Sequence, residues 1–162
     1  MRIYKIGELI LRKVCEPVKV VDDTTAAIVK EMIELMIADN GLGLAANQVG
    51  LGVRIFVCDI KSAYFKDRPL VAINPKIEKT KDKEALGIEG CLSIPGHQFL
   101  VKRAKRIKLT ALDDKGIPYE EEFINADARA IQHEYDHLNG ILCLDRATNK
   151  PRQLQALAKP LK

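Results

Sequence analysis

The chain has 162 residues, 47% hydrophobic and 30% charged, which fits one domain able to bury a core without disulfides or a metal merely to fold. A formal net charge of +4 is too mild to mark a nucleic-acid binder, and no DNA partner is expected. No apolar run of about 18 residues occurs, so no membrane span is expected, and Glu8 and Arg12 interrupt any signal-peptide core near the start.

The first predicted element is a helix from about Asp23 to Asp39. Asp22, Asp23 and Thr24 offer capping oxygens, and Ile28, Met32, Leu35 and Met36 recur at helical spacing. Asn40-Gly41 ends it, since both residue types tolerate a left-handed backbone. The glycine-punctuated stretch from Gly41 to Gly52 cannot be a good helix or strand throughout. Val53 to Ile60 reads as a strand, as does Leu70 to Ile73, which ends at Asn74-Pro75. Short strands follow around Ile77, Leu86 to Glu89 and Phe99 to Lys102. Ile107, Leu109 and Ala111 alternate with polar residues, the pattern of a strand with one buried face. Asp113 to Gly116 is a hairpin turn and Tyr119 to Phe123 returns. A second helix runs from about Ala126 to Leu138, with Asn125 or Asp127 at its start and Asn139-Gly140 at its end. The tail from Ala147 is basic and contains two prolines, so it is expected to be short, frayed or partly helical. The expected class is α+β: a single domain of mainly antiparallel sheets around one central helix.

That second helix carries His-Glu-Tyr-Asp-His, from His133 to His137. Histidines at i and i+4 share a helix face, about 5–6 Å apart at Cβ, so both imidazoles can reach one metal at about 2 Å. Glu134 lies about 100° around the helix, where a carboxylate can take a proton from a metal-bound water and pass it to a leaving amine. The chain has three histidines, and two of them fall at ligand spacing with Glu134 between them.

A water-accessible metal needs a third protein ligand, and the residues leave two candidates. Cys143 follows the helix in a spacing that mimics His-Glu-x-x-His-x-x-Gly-x-x-His, with cysteine last. It also sits in an apolar, strand-like run, Ile141 to Leu144, where a buried inert thiol is the ordinary expectation. Cys91 sits among Gly90, Leu92, Ser93, Pro95 and Gly96, the composition of a backbone held close to a ligand. The cysteines number four, and in the expected cytoplasmic setting they serve more often as ligands or buried groups than as disulfides. Gln48, in Gly-Leu-Gly-Leu-Ala-Ala-Asn-Gln, could polarise a carbonyl through its amide hydrogens. Taken alone, however, it reads better as a solvent-facing residue of a loop that caps the first helix.

Together the segments GLGLAANQ, EGCLS and HEYDH, in this order, resemble the signature motifs of the peptide deformylase family. LRKVCEPV and QHEYDHLNGILCLDR extend the similarity over most of residues 1–146. The resemblance implies a catalytic domain over 1–146 with a short basic tail at 147–162. It implies Cys91, His133 and His137 as metal ligands with water in the fourth place, and Glu134 as general base and acid. Gln48 and the Leu92 N–H would bind the formyl oxygen. Leu42, Gly43 and Gly90 would hold an extended peptide. Arg103 would help hold that peptide, or is a solvated charge in a basic strand. The implied reaction removes formate from formyl-methionyl polypeptides, with Fe(II) as the ion and Zn(II), Ni(II) or Co(II) as alternatives, one per chain. The implied partners are formylated nascent peptides and, weakly, the ribosome through the tail; a monomer is expected. Asn47 stands where the family usually has proline, which restores an N–H and loosens that loop, and the usual Pro-Asp around Gly7-Glu8 is missing.

Three rivals make different predictions. A cysteine hydrolase with Cys91 as nucleophile keeps its activity under chelation. A protease ligated through Cys143 loses its metal on Cys143→Ser. A non-enzymatic metal module turns over no formyl peptide.

Overall fold

Asp22 opens the first helix by accepting a hydrogen bond from Thr25 N–H at 2.9 Å, which satisfies a donor that the helix itself leaves unpaired. The structure is a computed structural model and describes residues 1–79 and 83–158. In α1 (Asp23–Ala38), Val29, Met32 and Met36 are buried, and Ile28 and Leu35 pack beside them half-buried. The predicted stop at Asn40-Gly41 is real. Asn40 takes a left-handed φ of 54°, and Gly41 N–H returns to Met36 O at 2.8 Å.

The glycine-rich stretch divides in two. Gly43–Ala45 forms strand β1, and Ala46–Val49 forms one 3₁₀ turn that ends at Gly50, φ 89°. Strand β2 (Ile55–Cys58) is shorter than the apolar run suggests and buried throughout. Strand β3 (Leu70–Lys79) corrects the predicted stop at Asn74-Pro75. Proline cannot donate to a ladder, but here a bulge between Ile73 and Lys76 absorbs it. Asn74 adopts φ 52° and pairs its amide with the Val18 backbone at 2.8 and 2.9 Å, and the strand resumes.

Strands β4 (Glu84–Glu89), β5 (Phe99–Ala104), β6 (Arg106–Leu112) and β7 (Pro118–Ile124) follow. The Asp113 carboxylate closes the β6–β7 turn by accepting from Ile117 N–H at 2.8 Å. Helix α2 (Asn125–His137) starts without a side-chain cap; Asn125 takes φ 52° there instead of capping, and Asp127 does not cap either. The apolar run at Ile141–Leu144 is not a strand. Asp145 accepts from Leu142 N–H at 2.7 Å and starts a short helix, α3 (Cys143–Arg146), and a cap of this kind overrides apolar composition.

Among the described residues the strands form an antiparallel five-stranded sheet, order β1-β2-β3-β6-β7, and a separate antiparallel pair, β4-β5. This is the expected α+β class. The main core joins α1, the inner face of α2 at Ala128 and Ile131, and Leu44, Phe56, Ile73 and Leu109 of the sheet. A second cluster joins Leu11, Ile94, Phe99, Val101, Leu142 and Leu154. The tail is therefore docked rather than frayed where it is described: Thr148 N–H reaches Leu100 O at 2.9 Å, and 152–157 forms a 3₁₀ turn. The final four residues of the predicted basic tail, 159–162, lie outside the described residues.

Candidate metal centre

His133 and His137 lie one turn apart on α2, so helical geometry alone brings their rings to one side. Their Nε2 atoms are 3.3 Å apart. Cys91 comes from another element, the turn that leaves β4, which Ile94 N–H closes onto Cys91 O at 2.9 Å. Its sulfur sits 3.3 Å from His137 Nε2. The three ligand atoms lie within 4.8 Å of one another.

This spacing fits a metal ion. Two nitrogens at about 2 Å from one tetrahedral ion are separated by roughly 3.3 Å, and a thiolate with two imidazoles is a donor set for a divalent transition metal. Cys143 is not part of the group. It is a buried free thiol at the start of α3. The Cys143 thiol and the neighbouring imidazoles hold Cys91 well below its ordinary thiol value, against its burial.

Behind the ligands lies a charged network. His133 Nδ1 meets Glu89 Oε2 at 2.9 Å. Arg103 donates to both Glu89 oxygens at 2.9 Å and also pairs with Asp136, which Arg146 binds at 2.5 and 2.7 Å. Burial opposes ionisation of Glu89, but Arg103 and His133 outweigh it and hold the carboxyl well below its usual range. Arg103 is thus neither a solvated charge nor a groove residue. It is 4% exposed, because carboxylates from β4 and α2 neutralise it inside. An alternating pattern within one strand cannot reveal partners on other elements.

An open groove of about 880 Å³ runs past the cluster, lined among others by Leu42, Gly43, Gln48, Gly90, Leu92 and Glu134. The remaining sequence-predicted site residues are therefore brought together here. Gln48 is 1% exposed and locked. Its Oε1 accepts from Ala45 N–H at 2.8 Å, and its Nε2 donates to Ser93 Oγ at 3.0 Å and lies 3.6 Å from Cys91 Sγ. Asn47 does not leave this loop loose, because its amide donates to His137 O at 2.5 Å and ties the loop to the metal helix.

Glu134 is buried, and burial pushes its carboxyl up to about 6, partly offset by His133 and His137. Among the described residues its Oε2 has no hydrogen-bond partner. Gly43 makes the room for it: a Cβ there would lie 2.7 Å from Glu134 Cδ.

A family model described as polypeptide deformylase matches residues 1–153. The chain belongs to the polypeptide deformylase family. It is 46% identical over 148 residues to a peptide deformylase of Clostridium botulinum, covering 91% of this chain and 97% of that protein. It is 38% identical over 159 residues to one of Synechocystis, covering 98% and 85%. Among solved structures, a peptide deformylase of Synechococcus elongatus in complex with actinonin superposes with a TM-score of 0.90 at 34% identity, over 99% of this chain and 91% of that one. The Thermotoga maritima enzyme gives a TM-score of 0.85 at 39% identity, over 91% and 97%.

In this deformylase-family chain Glu89, Ser93, Arg129 and Asp136 partner the site residues, although the motifs alone give none of them a role. Glu89 had a usable sign: it precedes Gly90-Cys91 directly, and a metal-binding histidine usually gives its second nitrogen to a carboxylate. The other partners come from distant elements that only the fold brings close.

Proposed function

We propose that the chain removes the formyl group from formyl-methionyl polypeptides, using one divalent ion held by Cys91, His133 and His137. The observation that carries this reading is the convergence of those three ligand atoms within 4.8 Å beside the buried, partly unpartnered Glu134 carboxylate. The donor set admits Fe(II), Zn(II), Ni(II) or Co(II) alike, and the family resemblance alone selects Fe(II), with the others as alternatives. When bound, such an ion polarises the formyl oxygen and acidifies a coordinated water.

The chain's own residues do the rest. Glu134 holds the proton released as the formyl carbon is attacked and delivers it to the departing amine nitrogen. Burial raises this carboxyl above its ordinary value, which favours its holding the proton between the two steps. Gln48 Nε2 and the Leu92 N–H donate to the formyl oxygen as it gains charge. The lock on Gln48 Oε1 fixes which end of its amide faces the groove. The peptide lies extended beside Leu42, Gly43 and Gly90. There β1 is the outer strand of its sheet, so main-chain pairing holds substrates of any sequence. Arg103 has no part in holding it. Residues 1–146 supply the chemistry, and Ala147 and Leu154 of the tail pack into the second core cluster. The substrates are nascent chains, which are made in the cytoplasm; we take the protein to act there as a monomer, with a weak charge-driven contact between tail and ribosome.

A second reading has a structural basis. The Cys91 sulfur 3.3 Å from His137 Nε2 is also how a cysteine nucleophile meets its base. Anaerobic purification, metal quantification and formate release from formyl-Met-Ala-Ser, beside the acetylated analogue, separate the two. The metal reading expects formate from the first peptide only, loss of activity on chelation and recovery with added ion. Full turnover after chelation supports the thiol reading, and no formate from loaded protein removes both.

A further inference from the structure

The two elements that carry the ligands are not joined by a sheet ladder. Cys91 lies in the connection between β4 and β5, a pair separate from the five-stranded sheet, and both histidines lie on α2. Something must set the distance between a strand segment and a helix to within a few tenths of an ångström.

Arg129 spans that gap. It sits on α2, one turn before His133. Its Nη2 donates to Ala85 O at 2.8 Å, and its Nη1 donates to Val101 O at 2.9 Å and to Glu89 Oε1 at 2.8 Å. One side chain of the helix therefore holds backbone carbonyls from both strands of the pair, together with the carboxylate that meets His133. Its side chain is 17% exposed. The strand pair is shaped for it, because a Cβ on Gly87 would lie 2.7 Å from Arg129 Cζ and Nη2. Glycine at 87 and arginine at 129 are a matched set. A planar guanidinium can reach acceptors on two strands at once, which a lysine ammonium does less well.

We propose that Arg129 is a positioning residue for the metal centre: it clasps the Cys91-bearing strand pair to the histidine-bearing helix and so sets the thiolate–imidazole spacing. This rests on the metal reading above. Removing the clasp leaves His133 and His137 in place, since the helix fixes them, and loosens Cys91, with the Arg103–Asp136 pair and the Gln132 amide on Ala104 left to tie the strand pair to α2.

The test uses the full chain loaded with Co(II), reading affinity by chelator competition and the thiolate-to-cobalt charge-transfer band by absorption. Arg129→Met is expected to weaken Co(II) binding about tenfold or more and to shift or diminish the band. Arg129→Lys is expected to recover part of both. Gly87→Ala is expected to reproduce the loss by displacing the guanidinium, and to add little in the Arg129→Met background. These two milder variants keep the test decisive where Arg129→Met folds poorly. Variants that melt lower but keep the wild-type affinity and band would overturn the proposal and leave Arg129 a purely structural residue. Wild-type protein that binds Co(II) without any thiolate band would overturn the metal reading and the clasp together.

Discussion

Glu134 occupies space that exists only because residue 43 lacks a side chain. Gly43→Ala places a methyl 2.7 Å from the carboxylate carbon and must push it aside. Because a displacement of about 1 Å at a reacting group can cost about a hundredfold, kcat is expected to fall by about that factor, with metal content and melting temperature near wild type. Glu134→Ala removes the proton carrier outright. We expect kcat to fall about 10²- to 10⁴-fold while metal analysis still finds the ion, since neither Glu134 oxygen is among the ligand atoms. At this scale the sequence was most informative where one helix turn supplies the geometry, as at His133 and His137. Residue composition alone leaves Cys91 and Cys143 both in play; the family resemblance selects Cys91, which the fold brings to the histidines while Cys143 opens α3. The sequence misread Arg103, whose neutralising partners, Glu89 and Asp136, lie 14 and 33 residues away.

Among the elements, the ones with both a periodic face and a stop residue were legible. Helix α1 had a capping aspartate, an apolar stripe and Asn40-Gly41, and it runs within a residue of its expected end. Strand β3 was legible only as two pieces, at Leu70–Ile73 and around Ile77, because their join depends on Asn74 meeting the distant Val18 backbone, and helix α3 read as a strand because the local Asp145–Leu142 cap outweighs apolar composition. Met32, fully buried on α1, tests whether that stripe holds the helix to the sheet. Met32→Ala is expected to cost about 2–5 kcal/mol, read by denaturant unfolding, with kcat per folded molecule unchanged because Met32 does not line the groove. A cost below about 0.5 kcal/mol would mean that the site collapses onto the gap or that the packing is looser than described.

For the whole molecule, two apolar clusters meet at the metal-binding segment. The second cluster includes Ile94, three residues past Cys91, and is closed by Leu154 from the tail. The tail's composition predicts a short, frayed or partly helical segment, and the described part is a short 3₁₀ turn anchored by Leu154, 8% exposed. Leu154→Ala is expected to lower stability by about 2 kcal/mol and the melting temperature with it. An unchanged melting curve would mean that the tail is frayed and adds nothing to the second cluster. The centre itself joins a turn after β4 to one face of α2, and X-ray absorption at the metal edge of anaerobically purified protein examines that junction directly. One sulfur at about 2.3 Å is expected with two imidazole nitrogens at about 2 Å, the sulfur lost in Cys91→Ser and kept in Cys143→Ser. A sulfur that persists in Cys91→Ser, or disappears in Cys143→Ser, would contradict it.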